Sequence, residues 1–136
     1  MSKGANIFQP FKKINDRFGH QVGDQVLARV AEVMKQTVRK GDSVARYGGE
    51  EFVLTLPGAD KQAAFEVAEK IRQAVENVTW NGSLKVTVSA GVASFPGDGQ
   101  DPAELLRHAD QALYRAKAGG RNRVLTFHAL SCLNQA

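Results

Sequence analysis

Two adjacent carboxylates, Glu50 and Glu51, directly follow the pair Gly48-Gly49, and they are the side chains best placed for chemistry in this chain. The β-rich runs at 43–47 and 52–56 predict a hairpin around them, with the glycines taking the positive φ of a tight turn. Without a Cβ at 48 and 49, a bulky ligand such as a nucleotide phosphate can approach the backbone closely. The two carboxylates offer hard oxygen ligands for Mg²⁺. The plain alternative is a solvated turn that happens to carry two glutamates.

Three further clusters fall at helix ends and turns. Asn15 and Asp24 bracket an Asn-Asp-Arg-Phe-Gly-His-Gln-Val-Gly-Asp run that includes His20. A carboxylate accepts from the two N–H groups of a guanine edge, and an amide can donate to its ring nitrogen and carbonyl. Asp24 could equally be an ordinary helix N-cap. Lys117 and Arg121 flank Gly119-Gly120, where two cations could clamp a triphosphate tail or simply complement a helix C-terminus. Arg39 and Asp42, three apart, are by themselves an unremarkable surface pair.

The elements that must position these groups follow from periodicity. Phe11, Ile14 and Phe18 predict a short helix over 10–18, closed by Gly19. Val26, Leu27, Val30, Ala31, Met34 and Val38 predict a longer one from Asp24 to about Lys40. Ala64, Phe65, Ala68, Ile71 and Val75 mark a helix over 60–78, and Leu105, Leu106, Ala109, Leu113 and Ala116 another from a capping-box-like Asp101-Pro102-Ala103-Glu104 to Gly119. Residues 84–92 alternate apolar and polar as a half-buried strand does, with a break or bulge expected at Gly91, and 124–127 read as a last strand. The natural assembly is α+β, a mainly antiparallel sheet flanked by helices. Only 5–9 offer a strand before the first helices.

Composition restricts the rest. At 136 residues the chain suits one domain with a core of its own, and its net charge of +4 is spread without a basic run. A nucleic-acid binder with a basic stripe or an array of exposed aromatics is disfavoured. Cys132 is the single cysteine, so no intramolecular disulfide forms. No apolar run approaches the roughly twenty residues of a membrane span.

Taken together, the motifs resemble the GGDEF domain family, the diguanylate cyclases. The resemblance covers nearly all of 10–127. It rests on Phe11-Lys12-Lys13-Ile14-Asn15-Asp16, Gly19-His20, Gly23-Asp24, Arg46-Tyr47-Gly48-Gly49-Glu50-Glu51-Phe52, Val88-Ser89-Ala90-Gly91-Val92, Ala109-Asp110, Leu113-Tyr114-Arg115-Ala116-Lys117 and Gly120-Arg121-Asn122. It implies a nucleotidyl-cyclase-like fold with a ferredoxin-like palm, and condensation of two GTP into the second messenger cyclic di-GMP with release of pyrophosphate. That nucleotidyltransferase reaction needs two domains face to face, hence a homodimer. Glu50 would bind Mg²⁺ or Mn²⁺, with Glu51 as a second acidic group. Gly48 and Gly49 would leave room for the nucleotide, Asn15 and Asp24 would read guanine with His20 nearby, backbone N–H groups at Phe11 and Lys12 would meet the phosphates, and Lys117 and Arg121 would hold the terminal ones. Arg39 and Asp42 match the family's RxxD inhibitory site for cyclic di-GMP, and Lys70 stands where a second arginine often assists. The family implies a cytoplasmic domain, commonly part of a larger membrane-bound or response-regulator protein, with no nucleic-acid or membrane contact of its own.

One departure stands out. In the family a core strand before Phe11 ends in Asp-x-Asp, whose first aspartate binds the metal; here those positions are Ile7 and Gln9. Residues 1–9 therefore read as a truncated or non-family segment, 10–128 as the domain, and 129–136 as a disordered tail. The first core strand is expected to be missing or replaced, leaving strand edges unpaired and the fold weakened. Catalysis is expected to suffer, which keeps a second reading open, an inactive domain that binds cyclic di-GMP or GTP.

Overall fold

The apolar stripes fold into helices that cover both faces of a five-stranded sheet. The computed structural model describes residues 3–11, 19–46, 51–79 and 86–127. In order these form β1 (Lys3–Phe11), α1 (Gly19–Thr37), β2 (Ser43–Arg46), β3 (Phe52–Pro57), α2 (Lys61–Glu76), β4 (Thr87–Ser94), α3 (Pro102–Ala118) and β5 (Val124–Thr126). The sheet order is β2-β3-β1-β4-β5, antiparallel except for the parallel pair β4 and β5. The first four strands and two helices make the interleaved βαββαβ unit of ferredoxin-like folds. Because β4 and β5 are parallel, the chain needs a crossover between them, and α3 supplies it.

On one face, Val26, Val30 and Met34 of α1 and Ala64, Ala68, Ile71 and Val75 of α2 bury against Leu54, Leu56, Val88 and Val92. On the other, Leu105, Ala109, Ala112 and Leu113 of α3 pack with Ala93 and Phe127. The α+β expectation holds, and several boundaries change. The helix expected over 10–18 does not begin at Pro10: Pro10 and Phe11 end β1, paired with Val88 and Thr87. Proline sits there at the end of the strand, beyond Phe8, the last β1 residue with a β3 partner among the described residues. Residues 12–18, like the tail 128–136 with Cys132, lie outside the described residues. Helix α1 starts at Gly19, five residues before Asp24, and ends at Thr37 rather than Lys40.

The expected gap in the sheet is filled. Lys3–Phe11 occupies the central position and pairs with β3 on one side and β4 on the other. Of the two alternatives for the first core strand, missing or replaced, the slot is occupied. The two edges that its loss would have opened are closed, so the reason for expecting a weakened fold falls away. Strand β4 also differs from its half-buried reading, since every residue from Val88 to Ser94 is buried. It does not break at Gly91, which pairs with Ile7 and Leu125 in an unbroken ladder. Glycine is required there because α3 lies against it: a Cβ would sit 2.0 Å from the Ala109 carbonyl oxygen and 2.4 Å from the Leu113 nitrogen.

The helix ends are capped as their sequences predict. Asp60 accepts from Ala63 N and Asp101 from Glu104 N, at 2.8 and 2.9 Å. At the N-terminal end of α2, Lys61 pairs with the buried Asp98 and donates to the Phe127 carbonyl at 2.9 Å, tying the end of β5 to the loop after β4. No described helix is long and apolar enough to cross a membrane.

Candidate functional site

One row of paired residues shows where the site forms. Phe52, Phe8, Ala90 and Val124 stand side by side across β3, β1, β4 and β5. The antiparallel and parallel senses place the end of β2, the start of β3, the end of β1 and the starts of β4 and β5 on one sheet edge. The hairpin loop 47–51, the 12–18 connection and the 119–123 turn therefore leave from the same edge. So do the N-terminal end of α1 and the C-terminal ends of α2 and α3. Residues over a hundred positions apart in sequence are brought together by strand order alone.

Arg46 pairs with Phe52, leaving five residues between the hairpin strands. Gly48, Gly49 and Glu50 lie outside the described residues, as do Lys12 and Asn15. Glu51 is half-buried and runs directly into Phe52, which is 3% exposed. Phe11 ends β1 and His20 stands in the first turn of α1. Asp24 is exposed and, with α1 beginning at Gly19, is not its N-cap. Instead it lines a groove of about 230 Å³ between α1 and the hairpin, with Leu27, Ala28, Val44, Arg46 and Phe52. Such a space is smaller than a whole-nucleotide pocket.

Helix α3 ends in a Schellman turn, with Arg121 N donating to the Ala116 carbonyl at 2.9 Å and Gly120 N to the Lys117 carbonyl at 3.3 Å. Gly120 has φ +124, and a glycine is the residue such a turn selects. The turn sets Lys117 in the last helical turn and Arg121 just beyond it, on the site edge. Both structural and ligand-binding readings of this segment are thus compatible.

The second anion-binding candidate sits elsewhere. The turn after α1 holds Arg39, whose backbone N–H donates to Asp42 Oδ2 at 2.8 Å, while Asp42 N donates to the Arg39 carbonyl. The Asp42 side chain is 3% exposed and the Arg39 side chain 68%. Asp42 thus locks the turn and Arg39 projects from it. This turn enters β2 at the end opposite the hairpin, about 10 Å away at some 3.3 Å per strand residue. Lys70 is exposed on α2.

A network absent from the sequence reading links α2 to the 119–123 turn. Arg72 donates Nε and Nη2 to both oxygens of Glu69, at 2.7 and 3.1 Å, and Nη1 to Asn122 Oδ1 at 3.1 Å. Asn122 Nδ2 donates to Glu76 at 2.6 Å and its backbone N–H to Ser89 Oγ at 3.1 Å. The Arg72 hydrogen bonds hold the Glu69 carboxyl below the usual carboxylate range, and Glu69 in turn raises the guanidinium. Glu69, Arg72 and Glu76 stand at i, i+3 and i+7, a spacing that could have flagged the ion pairs though not the partner Asn122.

The metal reading fits this edge incompletely. Among the described residues no three His, Cys, Asp or Glu side chains gather as a cage. Ile7, paired with Val53 and Gly91 beside the hairpin, carries no side-chain oxygen. The described donor set does not complete a Mg²⁺ site.

Comparison with known proteins bears on the same residues. The family model described as "Diguanylate cyclase, GGDEF domain" matches residues 7–123. Diguanylate cyclase DgcM of Escherichia coli (strain K12) is 50% identical over 115 residues, covering 85% of this chain and 28% of that protein. The chain spans about a third or less of the length of the curated relatives it matches. The active GGEEF domain of a diguanylate cyclase from Vibrio cholerae superposes with TM-score 0.87 at 34% identity, covering 94% of this chain and 84% of that one. The GGDEF domain of DgcB from Caulobacter crescentus, solved in complex with c-di-GMP, gives 0.84 at 34% identity, covering 92% and 77%. With its ferredoxin-like sheet, its Gly-Gly-Glu-Glu-Phe sequence joining the paired strands β2 and β3 and a family match over most of its length, this chain belongs to the GGDEF domain family of diguanylate cyclases.

Proposed function

We propose that this chain is a GTP-binding domain of diguanylate cyclase type, joining two GTP into cyclic di-GMP between two facing copies, and that Ile7 holds its own turnover down. The observation that carries this reading is the gathering of Asp24, the hairpin and the Lys117 to Arg121 turn on one sheet edge. In the reaction the 3′ oxygen of one GTP attacks the α-phosphate of the other. A new P–O bond forms, the bond to pyrophosphate breaks, and the hydroxyl proton passes to a base, for which Glu50, Glu51 and water are the nearby choices. Asp24, with Asn15, accepts from and donates to the guanine edge, with Phe11, Lys12 and His20 around the nucleotide. Gly48 and Gly49 admit the phosphates. Lys117 and Arg121 neutralise the pyrophosphate as it leaves.

Base recognition gives a test that needs no turnover. Calorimetric titration is expected to show binding of GTP in preference to ATP, and Asp24→Ala is expected to weaken GTP about 10- to 100-fold, the effect of losing hydrogen bonds to a charged group. Equal binding of ATP and GTP by the unaltered chain would sink the reading.

The Arg39 turn supports product inhibition as part of the same proposal, with Lys70 as an added cation. Arg39→Ala removes the exposed guanidinium while Asp42 keeps its bond to the backbone. Affinity for cyclic di-GMP is expected to fall about tenfold or more; an unchanged affinity would remove the assignment. Asp42→Ala is a poorer probe because it also unlocks the turn. Ile7 favours a second reading, a domain that binds cyclic di-GMP or GTP without turning it over.

A further inference from the structure

Arg121 and Asn122 both adopt left-handed backbone, at φ +64 and +46. Neither is glycine; asparagine takes this conformation more readily than most residues, arginine does not, and the strain persists because the surroundings hold it. The surroundings here are specific. The Asn122 amide is held at both ends by α2, through Arg72 on its oxygen and Glu76 on its nitrogen, while Ser89 of β4 takes its backbone N–H. Ser89 is 1% exposed and the Arg72 side chain 15%. The backbone of Arg121 is fixed as well, its N–H on Ala116 and its carbonyl accepting from Arg123 Nε at 3.1 Å.

We infer that Arg72, Glu76 and Asn122 are positioning residues that hold the strained 121–122 backbone so that the Arg121 guanidinium stands ready for the terminal phosphates of a nucleoside triphosphate. None of the three needs to touch the nucleotide. This rests on the reading of Arg121 as a phosphate-binding cation. The forked geometry explains the residue types: only a planar guanidinium can hold both Glu69 oxygens and still reach Asn122 Oδ1. With the network cut, the turn samples other conformations, and Arg121 pays the ordering entropy when the phosphates arrive.

The test compares ligands that share the base and differ in phosphates. GTP and GMP are titrated into the unaltered chain, Arg121→Ala, Asn122→Gly and Arg72→Met, with thermal melts of each. Asn122→Gly removes the amide and leaves the left-handed backbone accessible, so it isolates the network from the strain. The expected result is about a tenfold loss of GTP affinity in Arg121→Ala, Asn122→Gly and Arg72→Met, with GMP affinity unchanged. Equal loss of GTP and GMP in the network variants would mean a structural role only and overturn the inference. If Arg121→Ala lowers the GTP to GMP affinity ratio while Asn122→Gly and Arg72→Met leave it as in the unaltered chain, the inference fails and the phosphate reading survives. If Arg121→Ala leaves the ratio unchanged, the phosphate reading itself fails and takes the inference with it. Should Arg72→Met fail to fold, Asn122→Gly decides by the same criteria.

Discussion

Gly91→Ala is expected to cost roughly 3 kcal/mol or more, a large share of the ~5–15 kcal/mol that holds a domain of this size together. The added Cβ would meet the Ala109 oxygen at 2.0 Å, the Leu113 nitrogen at 2.4 Å and the Leu113 Cα at 3.0 Å, all of them backbone atoms. No rotamer change relieves such a clash. Either β4 or α3 must move, and both are committed. β4 is buried from Val88 to Ser94, and α3 buries Leu105, Ala109, Ala112, Leu113 and Ala116. A shift of α3 would also displace Lys117 and Arg121 at its end. Urea denaturation should show a sharp fall in midpoint or loss of the folded baseline. Gly97→Ala is the control, since a Cβ at that position would have nothing within 4 Å and the stability should stay within about 0.5 kcal/mol. A Gly91→Ala midpoint equal to that control would refute the close approach of helix and strand.

Ile7→Asp is expected to raise cyclic di-GMP formation on the order of 10²-fold, the scale on which one group of a metal or charge-stabilising site acts. Ile7 pairs with Val53, next to the Phe8–Phe52 pair at which the hairpin opens. An aspartate there would add an oxygen donor one register step from the Phe8–Phe52 pair, close to the segment that carries Glu51. The measurement is chromatographic separation of products after incubation with GTP and Mg²⁺, run on both chains. Product from the aspartate variant alone supports the view that the acidic set is incomplete. Equal and rapid product from both chains would show that Ile7 does not limit the reaction.

Legibility in the sequence followed side-chain size. The three long helices were readable because Leu, Ile, Val and Met at helical spacing mark a buried face, and Val30, Met34, Ile71 and Leu113 are all nearly inaccessible. Strand β4 was half legible. Ser89 and Gly91 fell on the polar positions of an alternating pattern, although both are buried and a Cβ at Gly91 would meet the backbone of α3. Strand β1 was the least legible, because Lys3-Gly4-Ala5-Asn6 and Pro10 carry little β propensity, and its central place comes from pairing on both sides. The start of α1 was hidden by Gly19, which read as the stop of a preceding helix but is the first residue of this one. Of the site, the motif residues were legible one by one. Their meeting on one edge depended on strand order, and the Arg72 to Asn122 link spans fifty positions that no periodicity connects.

The strand directions also decide where other modules can be joined. Lys3 opens β1 beside Pro57, and Phe127 follows β5 with its N–H on the Val92 carbonyl, so both ends of the described chain leave from the edge away from the hairpin. The edge at which the hairpin opens is reached by connections inside the chain. In engineering terms the domain is a cassette: both described ends leave from the edge that carries the Arg39 turn, opposite the edge of the hairpin.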